Sequence, residues 1–256
     1  MRVNKFLVES GYCSRREADD LLAAGKVAVN GARVAVGAVM EVGDEVKVGE
    51  RVVGARTRQH VYIALNKPIG VECTTDPEVK DNIVEFVDHP QRVFPIGRLD
   101  KDSSGLILLT SDGDIVNKLL RHEHQHEKEY WVTVDRPVTP EFLAKMARGV
   151  NLPRLRVTTR PCQTSRLGKF AFAITLTQGL NRQIRRMCLE LGYNVKALSR
   201  VRFVNIAIGH LKPGRWRNLT PAELSVLLAT KAAASRSAGP VRLRPRKRPT
   251  PRGSAR

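Results

Sequence analysis

Four aspartates lie close together in the segment GRLDKDSSGLILLTSDGD, residues 97–114, although the chain carries a formal net charge of +19. Asp112 and Asp114 fall where a helix is predicted to begin, and acids at that position satisfy free backbone N–H groups and favour the helix dipole. Asp102 lies in a polar turn, where we expect it to be exposed or to act as a cap. These three aspartates therefore have structural interpretations.

Asp100 has a different setting, because it lies between the apolar segments VFPIG and LILLT. A carboxylate on a short loop between two buried segments is held close to the core, and burial alone would raise its pKa and neutralise it. A cation or hydrogen bonds would keep it ionised. Asp100 is therefore a candidate nucleophile or general base, and a salt bridge that braces the loop is the structural alternative.

Three arginines lie at the start of a helix that is predicted in the segment LNRQIRRMCLELG. Asn181 is the expected N-cap, and Arg182, Arg185 and Arg186 fall in the first turns. Each cation there opposes the helix dipole by roughly 0.3–1 kcal/mol, so the cluster makes sense if an anion lies opposite. RNA phosphate and the Asp100 carboxylate are both candidates for that anion, and a solvated basic face is the alternative.

The segment RHEHQHEKEYWVTV combines three histidines with an aromatic residue. His122, His124 and His126 alternate, so on a strand they would share one face and present a metal site. The charge-dense context and the lack of a partner cysteine instead favour a loop without a metal. Tyr130 opens the strand that follows, and its ring is either an edge of the core or a platform for a flipped base.

The overall charge points to a polyanionic partner. A sequence pI near 10.5 is typical of nucleic-acid-binding proteins, with a surface made soluble by excess Arg and Lys as the alternative. Residues 231–256 hold nine Lys or Arg, four Pro and no acid, so we expect a disordered basic tail. Scattered cysteines and the lack of a long apolar run or signal peptide favour a reduced, cytoplasmic protein without disulfides or a membrane span.

Residues 1–52 are predicted to form a compact helix-helix-hairpin unit. Ser14 and Glu17 have the spacing of a capping box, and Asn30-Gly31 is a strong signal for a tight hairpin turn. A basic surface is expected from Arg2, Lys5, Arg15, Arg16, Lys26 and Arg33.

A Gly- and Arg-rich joint near residues 52–60 separates this unit from a larger region, residues 60–228. Strand-like runs and helices follow there without a regular βαβ rhythm, which indicates an α+β domain. The expected strands are Tyr62–Leu65, Gly105–Thr110, Tyr130–Val134 and Lys169–Thr177. A further helix is expected in DNIVEFVDH, with Asp81 as its cap.

The N-terminal segment NKFL…GYCSRREADDLLAAGKVAVNG resembles the S4-type RNA-binding domain. The motifs LNKPIGV, FPIGRLDKDSSGLILLTSDGD, HEKEY and GLNRQIRRM follow in that order. Together they resemble the ribosomal RNA pseudouridine synthases of the RsuA family, over residues 3–228. The sequence around GRLD and HEKEY is similar to that of the RluF branch of this family, which acts on large-subunit ribosomal RNA. The resemblance implies a catalytic domain built on a mixed, mainly antiparallel sheet.

The same resemblance assigns roles to individual residues. Asp100 would be the catalytic aspartate, Tyr130 would stack on the target base, and Arg185 would be the ion-pair partner of Asp100. Arg98 would help to open the site to the flipped nucleotide. Further contacts with RNA are expected from Lys67, Arg182 and Arg186.

The implied reaction turns uridine into pseudouridine without a cofactor: uracil is detached from C1′ of a flipped nucleotide, turned and rejoined through C5. Covalent and glycal routes at Asp100 both stay open, and Tyr130 or Asp100 is the expected base for the C5 proton. The favoured substrate is 23S ribosomal RNA, with 16S ribosomal RNA or a transfer RNA as alternatives, and the enzyme is expected to be a monomer.

Two other classes of protein are alternatives to this interpretation. A binding-only S4-type protein would stabilise ribosomal RNA but would not need the second domain. A nucleoside or glycoside hydrolase would normally use two carboxylates that flank one bond, whereas the neighbours of Asp100 have structural interpretations.

Overall fold

The computed structural model describes residues 1–54, 59–120 and 126–236. The N-terminal part consists of two helices and four short strands, namely α1 (Val3–Glu9), α2 (Arg15–Ala23), β1 (Val27–Val29), β2 (Ala32–Arg33), β3 (Val46–Val48) and β4 (Arg51–Val53). The strands form one sheet in the order β2-β1-β3-β4, and every pair in it is antiparallel. The predicted helix-helix-hairpin is present, and β3 and β4 extend the hairpin into a sheet.

Local signals in the sequence account for this N-terminal fold. Ser14 and Glu17 form the reciprocal capping box at the start of α2. Asn30 and Gly31 have positive φ values of 49° and 82°, as the tight turn between β1 and β2 requires. The buried residues at the centre of this core include Val3, Leu7, Ala18, Val27 and Val46.

The larger part of the chain is an α+β domain. Its helices are α3 (Ile83–Val87), α4 (Gly113–Leu120), α5 (Pro140–Arg148), α6 (Gln183–Glu190) and α7 (Pro221–Arg236). Its strands are β5 (Tyr62–Lys67), β6 (Phe94–Ile96), β7 (Ser104–Thr110), β8 (Lys128–Val134), β9 (Asn151–Leu152), β10 (Val157–Thr158), β11 (Gln163–Gly168), β12 (Ala171–Leu176), β13 (Val195–Phe203), β14 (Ile206–Ala207) and β15 (Trp216–Asn218). A short 3₁₀ helix (Pro153–Leu155) connects β9 to β10, which pair with each other.

Nine of these strands form one mixed sheet. Its order is β11-β12-β8-β13-β7-β5-β15, with β14 paired to β13 and β6 paired to β7. The β13–β7 pair is parallel and the other pairs are antiparallel, as the family resemblance implies for this domain.

The central strands are buried on both faces, which explains the continuous apolar run LILLT in β7. Ile107 packs on one face together with residues of α3. Leu106 and Leu108 pack on the other face with residues of α4 and α7. A strand covered on both sides lacks the alternation of half-buried strands.

Gly105 allows β13 to lie close to β7 at the point where the Asp100 loop ends. Its φ is 102°, and a Cβ there would collide with the backbone of Arg200. Glycine avoids both penalties, because it has no Cβ and adopts positive φ freely. The parallel pairing therefore places Arg200 directly beside the loop that carries Asp100.

Two predicted helix caps are wrong. Asn82, not Asp81, caps α3, and its Oδ1 accepts two backbone N–H groups. Asp81 has a φ of 60°, whereas an N-cap residue normally has extended backbone. Asn181 does not cap α6, because Arg182 occupies the N-cap position in a left-handed conformation and without a side-chain cap.

The first residues of the predicted disordered tail are helical. Helix α7 continues through residues 231–236, whose sequence KAAASR contains three alanines, the best helix formers. Residues 237–256 lie outside the described part of the chain, as do residues 55–58 of the predicted joint. Within the described residues, no helix is both long and apolar enough to span a membrane.

Candidate active site

A pocket of about 490 Å³ lies beside the Asp100 loop, within the range of roughly 300–1,000 Å³ that is usual for ligand sites. It is lined by four segments: the loop before β7, the start of β8, the segment between β12 and α6, and β13. Its more exposed side, here called the mouth, contains Arg98, Asp100 and Arg182. Its more buried side, here called the floor, contains His126, Lys128, Arg200 and Phe203.

Asp100 lies at the mouth, on the loop that joins β6 to β7. Its side chain is 31% exposed, and its Oδ2 lies 3.8 Å from Nη1 of Arg182. The N–H of Ser103 donates to the Asp100 carbonyl at 3.0 Å, and the neighbouring Leu99 is anchored in the core. The carboxylate is thus held by a rigid turn while it stays accessible to a ligand.

Asp102 is the centre of an ion-pair network at the mouth. Arg182 forms a bidentate pair with its carboxylate, with Nη1 to Oδ1 at 3.1 Å and Nη2 to Oδ2 at 2.8 Å. The hydrogen bond from Arg182 is the main reason why the pKa of Asp102 is lowered. Asp102 is exposed, as the sequence predicts, and its carboxylate also fixes the start of α6 to the Asp100 loop.

The predicted ion pair between Arg185 and Asp100 is not formed. Nη2 of Arg185 instead donates to the Asp102 carbonyl at 2.9 Å, and it lies 3.3 Å from Oδ2 of Asp102. Arg182 takes the expected place beside Asp100, because its left-handed backbone before the first turn directs its side chain to the carboxylates. Arg185 lies one turn further along α6 and holds the backbone of the loop.

Tyr130 lines the same pocket from β8. In the sheet it lies opposite Ile174 of β12 and Arg200 of β13. Its ring is partly buried and packs against two apolar clusters, so both edge-of-core packing and a role as a platform are compatible with its position. The strand begins two residues before Tyr130, at Lys128.

The prediction that Lys67 binds RNA is wrong, because its side chain is fully buried. Its Nζ donates to the carbonyls of Pro68 and Val71 at 2.9 and 2.8 Å. Burial lowers the pKa of this lysine. The turn that it stabilises also carries Gly70, whose N–H donates to the carbonyl of Lys101 at 2.9 Å. Lys67 therefore stabilises the turn that is hydrogen-bonded to the Asp100 loop.

The other predicted RNA-binding residues occupy three places. Arg98 is exposed at the mouth, and Arg186 bonds to Asn181 at the start of α6. Lys5 pairs with Asp114 of α4 at 2.8 Å, so it joins the two domains. The third group is exposed on the N-terminal domain and consists of Arg2, Arg15, Arg16, Lys26 and Arg33.

Asp112 and Asp114 have the structural roles that the sequence predicts. Oδ1 of Asp112 accepts the N–H groups of Asp114 and Ile115 at the start of α4. Asp114 lies in the first turn of that helix.

The histidine-rich segment is only partly described. His122 and His124 lie outside the described residues, whereas His126 is buried at the floor. Within the described residues, no group of three or more His, Cys, Asp or Glu side chains is arranged to hold a metal ion. All four cysteines are free thiols.

Sequence reasoning missed two cations at the floor, Lys128 and Arg200. Arg200 is 4% exposed and lies within a strand, and its Nε donates to the Leu106 carbonyl at 2.6 Å. Burial, and to a smaller extent the charge of Arg200, lower the pKa of Lys128 to about 8. The available signal was the arginine at an inward position of VKALSRVRF, between the buried Leu198 and Phe203.

Comparisons with known proteins agree with this geometry. A family model for RNA pseudouridylate synthase matches residues 61–190, and a model for the S4 domain matches residues 1–52. The dual-specificity RNA pseudouridine synthase RluF of Escherichia coli K12 is 52% identical over 225 residues, which cover 88% of this chain and 77% of RluF. The ribosomal large subunit pseudouridine synthase B of Bacillus subtilis is 34% identical over 89% of this chain and 96% of its own.

A solved structure supports the same assignment. The crystal structure of a pseudouridylate synthase matches with a TM-score of 0.64 and 30% identity, over 89% of this chain and 99% of that one. The sheet, the pocket and the basic N-terminal domain thus define an RNA-modifying enzyme of the pseudouridine synthase class. Within that class, the chain belongs to the RsuA family, with an N-terminal S4 domain and RluF among its relatives.

Proposed function

We propose that this enzyme converts a uridine of 23S ribosomal RNA to pseudouridine, with Asp100 acting on the ribose of a flipped nucleotide. The observation that carries the proposal is the Asp100 carboxylate at the mouth of a pocket that also contains the ring of Tyr130. The relative named for the large ribosomal subunit supports the choice of RNA. The dual specificity in the name of RluF supports a second substrate, for which a transfer RNA with a similar loop is our candidate.

The path of the reaction follows from the arrangement of the pocket. Arg98, Arg182 and the basic S4 domain hold the RNA backbone, and the target uracil leaves its stack and enters the pocket beside Tyr130. Asp100 then either bonds to C1′ or removes the C2′ proton. In both routes the C1′–N1 bond breaks and its electron pair leaves with the uracil. The base then turns and C5 bonds to C1′, while the Asp100–C1′ bond breaks in the first route or a proton returns to C2′ in the second. The C5 proton is lost, and N1 gains a proton.

Asp100 is our choice for the base that finally accepts the C5 proton, ahead of Tyr130. It is the only carboxylate among the described residues that line the pocket. The same observation argues against a hydrolase, because glycosidases normally place two carboxylates around one bond. Release of free uracil, or an abasic site in the RNA, would nevertheless decide for hydrolysis.

The test is chemical mapping of pseudouridine in cells with and without the gene, by carbodiimide-induced stops of reverse transcription. We expect one signal in 23S ribosomal RNA to disappear with the gene, to return with the wild-type gene, and to stay absent with Asp100→Asn. Asp112→Asn is the matched control, since Asp112 caps α4 and does not line the pocket. It should restore the signal.

Other outcomes would change particular parts of the proposal. A signal lost only in 16S ribosomal RNA would discard the 23S target and keep the role of Asp100. Full turnover by purified Asp100→Asn would discard that role. We further propose that the enzyme acts as a monomer in the cytoplasm, which light scattering of the purified protein and cell fractionation would check.

A further inference from the structure

The floor of the pocket holds two cations that face the same aromatic ring. The Nζ of Lys128 lies 6.0 Å and the Cζ of Arg200 lies 5.7 Å from the centre of the Phe203 ring. Both residues line the pocket. The floor therefore concentrates two positive charges around one ring, with Arg200 buried and Lys128 half-buried.

Neither charge has a carboxylate partner within the described residues. Nζ of Lys128 donates to the carbonyl of His126 at 3.1 Å, and Arg200 uses only Nε, to the carbonyl of Leu106. No hydrogen bond or ion pair in this part of the chain engages the two Nη atoms of Arg200. Two residues further along β13, Arg202 pairs with Glu127 and Glu129, each at 3.1 Å. Strand β8 and the residue before it thus supply carboxylates to Arg202 and none to Arg200.

A buried cation without a counter-charge is costly, and proteins normally pair it. Arg200 is the kind of group that an anionic ligand would satisfy, because its unpaired nitrogens belong to a side chain that is 4% exposed and lines the pocket. The floor has the composition of an anion site that is complete only when a ligand is bound.

The position of the floor within the sheet indicates which anion it meets. Lys128 and Tyr130 alternate on β8 and so face the same side, and Arg200 lies directly opposite Tyr130 in the ladder. A base stacked on Tyr130 would turn an edge toward both cations. The phosphates of the flipped nucleotide remain joined to the RNA strand outside, where the exposed Arg98 and Arg182 lie.

We propose that Arg200 and Lys128 bind the carbonyl edge of the target uracil and stabilise the uracil anion that forms when the C1′–N1 bond breaks. This inference rests on the proposed function and adds catalytic residues to it. The electron pair of the broken bond stays on N1 and spreads to O2 and O4, where fixed N–H donors are most effective. The charge disappears when C5 bonds to C1′, and the later loss of the C5 proton is balanced by the gain of a proton at N1. The covalent and glycal routes release the same anion, so the assignment holds for both.

The test compares Arg200→Gln and Lys128→Met with Arg202→Gln in steady-state reactions on the RNA identified by mapping. Arg202→Gln is the matched control, because it removes an arginine of the same strand that does not line the pocket. We expect Arg200→Gln to lower kcat by about 100–1,000-fold, as for loss of an oxyanion donor, with KM changed less than about threefold. Lys128→Met should show a smaller loss of the same kind, and Arg202→Gln should keep kcat.

A second substrate separates stabilisation of an anion from other roles of these residues. An RNA with 5-fluorouridine at the target releases a less basic anion, because fluorine withdraws charge, so its cleavage depends less on the floor. The loss caused by Arg200→Gln should therefore shrink with this RNA, measured as consumption of the 5-fluorouridine nucleotide. Guanidinium in the buffer should restore part of the kcat of Arg200→Ala.

Three outcomes would overturn the inference while leaving the proposed function intact. Wild-type kcat in both Arg200→Gln and Lys128→Met is the first. An equal loss on the two RNAs is the second. The third is a loss confined to KM together with a reduced salt slope, which would identify a site for backbone phosphate. If Arg200→Gln fails to fold, Lys128→Met carries the same comparison. A wild-type enzyme that forms no pseudouridine would instead refute the proposed function.

Discussion

The mouth and the floor of one pocket both carry arginines, but their charges are compensated in opposite ways. At the mouth, Arg182 and Arg185 share the carboxylate of Asp102, with Arg182 bound in a bidentate manner. At the floor, Arg200 and Lys128 have only backbone carbonyls and the Phe203 ring as partners in the described structure. A cation that is supplied with its own carboxylate holds the protein together, whereas an uncompensated cation in a pocket is available to a ligand.

The energetic consequences of the two arrangements also differ. The pair of Arg182 and Asp102 joins two exposed side chains, and such pairs typically contribute about 0–1 kcal/mol to stability, so its value lies in geometry. A desolvated cation lowers stability until an anion arrives. We therefore expect mutations at the mouth to displace catalytic side chains. Removal of a cation at the floor should raise the stability of the protein and lower its activity.

The largest effect at the mouth should follow Asp102→Asn. Without the carboxylate, Arg182 and Arg185 lose their anchor, and Arg182 is free to move fully onto Asp100. We expect kcat/KM to fall by about 10–100-fold, since small misplacements of a catalytic group have effects of that size. Single-turnover kinetics on the target RNA measure it.

Asp112→Asn is the control for Asp102→Asn, because it should affect stability and not catalysis. Asp112 caps α4 and accepts the hydroxyl of Tyr62 at 2.8 Å, so its loss should lower the free energy of unfolding by about 1 kcal/mol and spare kcat. Equal catalytic losses in both variants would show that Asp102 acts only through stability, and the contrast between geometry and stability at the mouth would fail.

The sequence predicts the features that depend on residues close together in the chain better than those that depend on distant residues. The capping box of Ser14 and Glu17 and the Asn30-Gly31 turn are set by neighbours in the chain, and both were predicted correctly. The main strands were also predicted, because apolar runs between turn residues identify them. The location of Asp100 in a pocket agrees with its rigid setting between two apolar segments.

Interactions between distant segments were harder to predict. Arg182 and Asp102 are 80 residues apart, and which arginine of RQIRR meets which aspartate depends on the left-handed backbone at Arg182. The burial of Lys67 depends on the turn that follows it, whereas the family resemblance suggested a cation that contacts RNA. The pairing of Arg200 beside Tyr130 depends on the register of β13, which no local pattern fixes.

At the floor, we expect Lys128→Met to stabilise the protein and to lower its activity. Burial lowers the pKa of Lys128 from 10.5 to about 8, so below pH 8 the folded state carries a charge that it disfavours. We expect the free energy of unfolding at pH 7 to rise by about 1–2 kcal/mol in the variant, after allowance for partial exposure.

The pH dependence gives this prediction its control. As the pH rises from 8 to 10.5, the wild-type lysine loses its proton in the folded state before it does so in the unfolded state, so the wild type regains stability. The gap between the two proteins should therefore close at high pH in urea unfolding. A variant that is less stable than the wild type at pH 7 would mean that the hydrogen bond to His126 outweighs the cost of burying the charge.

The smallest expected effect concerns the affinity for RNA. Arg182 is exposed at the mouth, with its side chain 42% exposed, whereas Arg200 is almost fully buried. If the mouth meets backbone phosphate and the floor meets the base, Arg182→Gln should reduce the salt slope of log K by roughly 0.7–0.9, as the loss of one phosphate contact does. Arg200→Gln should leave that slope unchanged, because uracil carries no charge before its bond to C1′ breaks. Binding titrations of the target RNA at several salt concentrations, with Asp100→Asn in the background to prevent turnover, measure both slopes. A reduced slope for Arg200→Gln alone would reverse the assignment of the two ends of the pocket.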